Sequence, residues 1–268
     1  DTNSALLHVA QVSAAYRHTC AVLESGAIYC WGQQANGRLG NQASIAGGTN
    51  QPRPVQRDAQ SIVDGVQVVT GTAHSCAVLR DHTVACWGSN GAGQLGDGKQ
   101  EGESTSALAV PGLSAVERLA AGPQHMCALS KGQVLCWGSN ASGQLGRMDG
   151  SLDMPAPVPG IDDAVAISAG NGFSCALRAQ GAAWCWGSND SGERGDGNML
   201  SSATPSRVPL DNVLELSAGQ KHVCARTEKA VLCWGKSVFG QLGYETGTDM
   251  FSSTPQLIQA LAPLPPKF

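Results

Sequence analysis

The chain of 268 residues predicts an all-β fold, a β-propeller built from five repeats of about fifty residues with four antiparallel strands per blade. Three observations carry that expectation. Cys-Trp-Gly triplets recur at Cys30, Cys86, Cys136, Cys185 and Cys233, and each follows a second cysteine by nine or ten residues, at Cys20, Cys76, Cys127, Cys175 and Cys224. Within each unit the apolar runs are short, bounded by turn residues and rich in side chains that suit a pleated strand. Helix-period apolar stretches are nearly absent. Four short strands per unit match a propeller blade, a small sheet that buries both faces against its neighbours, and exceed what one coil of a solenoid needs.

The second repeat shows the elements in order. VQVVTGTAHSCAVLRDHTVACWG holds three strand-like runs, Val66–Thr70, Ser75–Leu79 and Thr83–Trp87, and Ala-Val-Pro near residue 110 supplies the fourth. Upstream of each cysteine pair lies a Ser-Ala-Gly-like turn (SAAYRH, TGTAH, AAGPQH, SAGNGF, SAGQKH). Downstream comes a Gly-Gln-Leu-Gly-like turn (GRLG, GQLG, GQLG, GERG, GQLG), then a proline-marked apolar stretch (QPRPVQ, SALAVPG, PAPVPG, TPSRVPL, TPQLIQ). The repeats span 6–56, 62–111, 113–159, 161–209 and 211–259 of a single domain, 1–268. Leu7–Ser13 reads as a first strand and Thr254–Gln259 as a last one, so the two ends are expected to pair and close the ring.

A net charge of -4 gives no basic footprint, so nucleic acid is not an expected partner. The chain has no apolar run of membrane-spanning length, and DTNSALLHVAQ lacks a basic region leading into an apolar core. No membrane insertion is expected; the chain is read as soluble, its export signal removed or never included.

The cysteines admit three readings. In an antiparallel hairpin Cys76 and Cys86 fall opposite one another, close enough for a cross-strand disulfide, and the even count recurs five times. The expected pairs are Cys20–Cys30, Cys76–Cys86, Cys127–Cys136, Cys175–Cys185 and Cys224–Cys233. A metal site of His74, Cys76 and Cys86 lacks a fourth ligand, and the fourth repeat has Phe173 in place of the histidine. Free buried thiols are the third reading. Disulfides place the chain in an oxidising setting: secreted, periplasmic or a cell-surface ectodomain.

AHSCAVL, WGSNGAGQLG and the proline-marked strand together resemble the repeat of the regulator of chromosome condensation family, over almost the whole chain. The resemblance implies a propeller. It differs from the best-known members in two respects: they have seven blades, leaving here either a five-bladed ring or part of a larger propeller, and intracellular members typically lack the cysteine pairs. Similar cysteine-bearing repeats occur in the ectodomains of plant crinkly-type receptor kinases. Related propellers that inhibit β-lactamase make enzyme inhibition one expectation; members that sense ultraviolet light use clustered tryptophans.

The recurring His18, His74, His125 and His222 are expected to bond backbone within each blade, and Trp31, Trp87, Trp137, Trp186 and Trp234 to pack between blades. Function should lie where repeats differ. The connections from third to fourth strand are long and dissimilar, and hold Met148, Met154, Met199 and Met250 with Tyr244 and Phe251. Turns from first to second strand put Tyr16, Arg17, Gln124 and Lys221 on the same side. Tyr16, Arg17, Met148, Met154, Met199, Tyr244, Met250 and Phe251 are the candidate contact residues for a protein partner; the plain alternative is that they tuck under their own loops.

Arg194-Gly195-Asp196 reads as a coincidence of the family turn, and Asn140 and Asn189, each in an Asn-x-Ser triplet, as turn residues. Acidic residues of the long loops, Asp97, Glu101, Glu103, Asp149, Asp153, Glu245 and Asp249, could coordinate calcium or simply keep the loops solvated, and solvation is the usual reason. No Gly-x-Ser-x-Gly, Walker or His-Glu-x-x-His motif occurs, so no catalytic residue, metal or cofactor is expected. A sugar-binding propeller, with one equivalent pocket per blade, and an enzyme with a central site are the alternatives.

Overall fold

Each repeat folds into its own four-stranded antiparallel sheet, its strands hydrogen-bonded in sequence order. The computed structural model describes residues 5–43, 47–148, 150–244 and 249–258. Blade one comprises β1 (Val9–Ala14), β2 (His18–Leu23), β3 (Ile28–Gln33) and β4 (Gly48–Pro54). A small hairpin, β5 (Gln56–Arg57) with β6 (Gln60–Ser61), leads to blade two: β7 (Gly65–Thr70), β8 (His74–Leu79), β9 (Val84–Ser89) and β10 (Glu103–Ala109). Blade three holds β11 (Val116–Ala121), β12 (His125–Ser130), β13 (Gln133–Gly138) and β14 (Ala156–Pro157). Blade four holds β15 (Ala164–Ala169), β16 (Phe173–Arg178), β17 (Ala183–Gly187) and β18 (Ser202–Arg207), and blade five β19 (Glu215–Ala218), β20 (His222–Arg226), β21 (Val231–Lys236) and β22 (Phe251–Leu257). The fourth strand of blade two precedes Val110, where the sequence placed it, and β14 is short because Pro155, Pro157 and Pro159 offer no ladder donor.

The central hairpin of each blade explains the cysteine spacing. Ser130 pairs with Gln133, leaving Lys131-Gly132 as a two-residue turn with φ of 51° and 79°, the left-handed pair that matches strand twist. That register sets Cys127 opposite Cys136, and the other four pairs are likewise opposite. All five expected disulfides form, each with a Cα–Cα separation of 4.1 Å. The glycine after each tryptophan has a different cause. Gly88 sits at φ 105°, and a Cβ there would lie 2.5 Å from the Ala73 carbonyl oxygen. The turn between first and second strands therefore presses on the Trp-Gly step, and only glycine fits.

The core lies between blades. Between blades one and two, Val22, Ile28, Leu39 and Val55 meet Val68, Ala77, Leu79, Ala85 and Trp87, and three similar cores follow. Each blade therefore has a trailing face, which supplies its disulfide and glycine turn to the next blade, and a leading face, which supplies its tryptophan to the one before. Side-chain amides bridge the inner strands. Gln11 exchanges two hydrogen bonds with the backbone of Val68, and Gln67 does the same with Leu119.

Among the described residues the arc is open between blades five and one. The expected pairing of the first and last strands is not formed: β1 is the first strand of one complete sheet and β22 the fourth of another, so neither has a strand to lend. Gln259, the expected end of the last strand, lies outside the described residues. Val12 on the leading face of blade one is 55% exposed, while its counterpart Val68 is 0% exposed. At the other end, a Cβ on Gly240 would meet nothing within 4 Å among the described residues, whereas its counterparts Gly37, Gly93, Gly143 and Gly192 press on the fourth strand or its lead-in in the following blade.

Candidate functional site

One end of the blades carries both classes of variable segment. The Gln33 amide at the end of β3 donates to the Arg17 carbonyl in the turn after β1, at 2.8 Å, and the equivalent bonds recur at Ser89, Ser139, Ser188 and Lys236. The first turns and the long loops therefore share this end. The first turns meet around a central cavity of about 550 Å³, lined by residues 14–16, 70–72, 121–123, 169–171 and 218–220. The Thr72 amide donates to Pro123 and the Asn171 amide to Gln220, so neighbouring turns are linked directly. Among the described residues its polar side chains are Tyr16, Thr70, Thr72, Asn171 and Gln220, with alanine, glycine and proline making up the rest of the wall.

The candidate contact residues divide. Tyr16 is 68% exposed at the cavity rim with the Arg17 guanidinium 4.8 Å from its ring centre, and Met148 is 85% exposed on the loop of blade three. Met250 is also exposed. Met154 leans on the loop of blade two, where a Cβ at Gly98 would lie 3.9 Å from its sulfur, and Asp153 accepts the Gly98 amide. Met199 sits at the margin of exposure beside Leu200, which is 73% exposed. Tyr244 and Phe251 are half-buried rather than free anchors. The Tyr244 hydroxyl donates to the Cys233 carbonyl at 3.1 Å, and burial holds its pKa above the usual tyrosine value. Phe251 is fixed in β22 opposite Lys236. Asp149 and Glu245 lie outside the described residues.

The sequence reading missed the most exposed of these side chains. Phe239 is 91% exposed, with Val238 beside it. Its amide donates to Gln241 Oε1 at 2.8 Å, as the Ala92 amide does to Gln94, so the turn backbone is held while the ring stays in solvent. The Ser237 amide donates to the Met250 carbonyl at 2.6 Å, which ties the segment that carries Met250 to the turn that carries Val238 and Phe239; all three side chains are exposed. The signal was available: Phe239 occupies the place of Asn36, Ala92, Ser142 and Ser191, a departure in one repeat only.

Other motifs resolve into structure. His18 Nε2 shares a hydrogen bond with Ser75 Oγ and His125 Nε2 with Ser174 Oγ, both at 2.8 Å, so these rings join successive blades instead of bonding backbone within one. His74 has Met126 at the serine position, and neither ring nitrogen has a partner among the described residues. Burial lowers the pKa of His74 to about 3, with His18 and His125 adding to the effect, and that of His125 to about 4. His18 is lowered to about 4 by burial and then by Arg38. Arg194 takes the place of Leu39 and Leu95; its guanidinium is buried against Asp196 at 2.7 Å, so the Arg-Gly-Asp triplet is not displayed. Asn189 is buried, its side chain bonded to Asn198 and the Arg194 amide. The cysteines, being oxidised, are not ligands for a metal.

Comparison with known proteins matches this architecture. The E3 ubiquitin-protein ligase HERC2 of Homo sapiens is 34% identical over 130 residues, 46% of this chain and 2% of that protein. The ultraviolet-B receptor UVR8 of Arabidopsis thaliana is 33% identical over 110 residues, 40% of this chain and 24% of that one. The chain thus spans only a small part of these relatives. Among solved structures, human WBSCR16 superimposes with a TM-score of 0.81 at 23% identity, covering 94% of this chain and 67% of the other. Yeast RCC1 (Prp20), bound to Kap60, gives 0.81 at 21%, covering 94% and 64%. The ectodomain of the Physcomitrella patens receptor kinase CR4 gives 0.53 at 23%, covering 89% and 56%. At these identities the structures speak to the fold alone. The profile described as RCC1-like domain matches residues 2–265, and the chain, with its five repeats each folded as one blade, belongs to that family.

Proposed function

We propose that this chain is an exported, disulfide-stabilised protein-binding propeller that works through the loop end of its blades. The observation that carries this reading is the exposure of Phe239, Met148, Leu200 and Tyr16 at that end, more large apolar surface than loop solvation calls for. Met250 and Val238 are exposed in the same blade as Phe239, Arg17, Met154 and Met199 lie on the first turns and long loops of other blades at this end, and Tyr244 and Phe251 are half-buried in blade five. Export is supported by ten cysteines all engaged in disulfides, a state that reducing compartments disfavour. No helix among the described residues is long and apolar enough to cross a membrane.

The role is recognition, as an enzyme inhibitor or a receptor-type module, and the chain itself is not an enzyme. A further structure of Prp20p is described with its binding to Gsp1p and histones, which makes protein recognition a natural use of the fold. A sugar-binding propeller needs the same aromatic group in each blade, whereas Phe239 has no aromatic counterpart in the other four turns. The test is affinity for the purified partner. Phe239→Ala should weaken binding by about 2 kcal/mol or more if the ring is a central anchor, while Glu24→Ala and Lys131→Ala at the opposite end should leave it unchanged. The reverse order places the contact on the short-turn end and refutes the reading.

A further inference from the structure

The two open faces of the arc are halves of the interface that joins every interior pair of blades. In blades two to five the indole of the following blade donates to the carbonyl of the second residue of the preceding glycine turn: Trp87 to Arg38, Trp137 to Gln94, Trp186 to Gln144 and Trp234 to Glu193. Blade one has the donor, Trp31, half-buried and without an acceptor among the described residues. Blade five has the turn, Gly240-Gln241-Leu242-Gly243, and among the described residues nothing presses on Gly240 where the next blade would.

Two departures from the repeat match each other across this gap. On the trailing faces Val22, Val78, Leu129 and Leu177 are buried, but their counterpart in blade five is Arg226, half-exposed and paired with Glu215 at 3.0 Å. The residue that shares a core with this position on the leading face is Ala85, Leu135 or Trp184 in the first three interfaces; in blade one it is Tyr29. An arginine at one end of the arc thus faces the place of a tyrosine at the other, a pair suited to cation–π contact or to a hydrogen bond on the phenol. Glu215 stands where Gln11 and Gln67 reach the next blade's backbone, and keeps the accepting half of that bond.

We propose that copies of this chain associate head to tail, the trailing face of blade five of one copy seating on the leading face of blade one of the next. The contact is heterologous: Trp31 of one copy donates to the Gln241 carbonyl of its neighbour, Arg226 meets Tyr29, and Val231 and Val12 are covered. Repeat arrays present this kind of face, since each repeat buries its surface only against the next.

Sedimentation velocity over a concentration series, without reductant, tests the proposal. The wild-type chain should shift from the 27.5 kDa monomer to larger species as concentration rises. Val12→Arg blocks the leading face and Val231→Arg the trailing face; both positions are already exposed, and circular dichroism checks that each variant is folded. Each variant alone should stay monomeric, and their equimolar mixture should form a species that stops at two copies, because one open face of each remains usable. A wild-type chain that stays monomeric throughout overturns the proposal, whether the arc is instead closed on itself or completed by repeats from elsewhere. Association by either variant alone, or a mixture that does not associate, overturns it equally.

Discussion

The indole of Trp87 donates to the carbonyl of Arg38 at 3.0 Å, and so joins the Cys-Trp-Gly strand of one blade to the glycine turn of the blade before it. The two most conspicuous elements of each repeat therefore serve different interfaces, which is why they recur together. Trp137→Phe removes this donor from an interface where the indole is wholly buried and strands the Gln94 carbonyl; we expect a loss of about 2–3 kcal/mol by urea unfolding. Trp31→Phe, which loses no such bond, should cost less than about 1 kcal/mol in the monomer. Equal losses would mean that the open arc is wrong.

The next-blade partner of each recurring ring sets a second contrast. His18 and His125 face serines, Phe173 faces Val223, and His74 faces Met126. His74→Phe should stabilise the chain by about 1 kcal/mol, because it removes a buried imidazole with no partner and reproduces the fit of Phe173 over Gly170. His125→Phe should destabilise by a similar amount, since the bond between the ring and Ser174 is lost and the hydroxyl keeps only the Gln144 carbonyl. Thermal unfolding of the two variants should move in opposite directions.

These histidines also fix the acid limb of stability. In the folded chain their pKa values, about 3 for His74 and about 4 for His18 and His125, lie below the 6.5 of a free histidine. Between those values the unfolded chain binds protons that the folded chain does not, so stability falls as pH falls. Each ring contributes a slope approaching about 1.4 kcal/mol per pH unit between roughly pH 6 and 4. Urea midpoints across this window should drop steeply in the wild type and less steeply in His74→Phe. A flat profile would contradict the neutral burial of the rings.

The architecture was legible because it is periodic. Five copies of one pattern gave the blades, and the hairpin register gave all five disulfides. Three features were not legible, each because it depends on what lies across an interface. The repeats do not say that β1 and β22 stay apart, since every repeat is complete in itself. They show the recurring histidine but not its partner, which sits a full repeat away: Ser75 for His18, Met126 for His74. Exposure of the loop residues depends on local bonds such as that from Tyr244 to the Cys233 carbonyl, so a reading confined to the long loops named Tyr244 and passed over Phe239.

Each disulfide staples a hairpin that already pairs in register. Replacing Cys76 and Cys86 together by alanine should cost about 2–3 kcal/mol, the loop-closure value for a ten-residue ring, without altering the other four bridges. Peptide mapping without reduction should return only the five pairs within repeats. A pair between repeats would contradict the register.

The most direct test of the functional claim is photocrosslinking at Phe239. With benzoylphenylalanine in its place and, as a control, at Glu24 on the opposite end, each probe is irradiated with the partner-containing secreted fraction of the source. Binding through the loop end predicts one discrete crosslinked product from position 239, competed away by unlabelled wild-type chain and not by the Met148→Ser, Leu200→Ser double variant, and none from position 24. A competed product from position 24, with none from position 239, would contradict it.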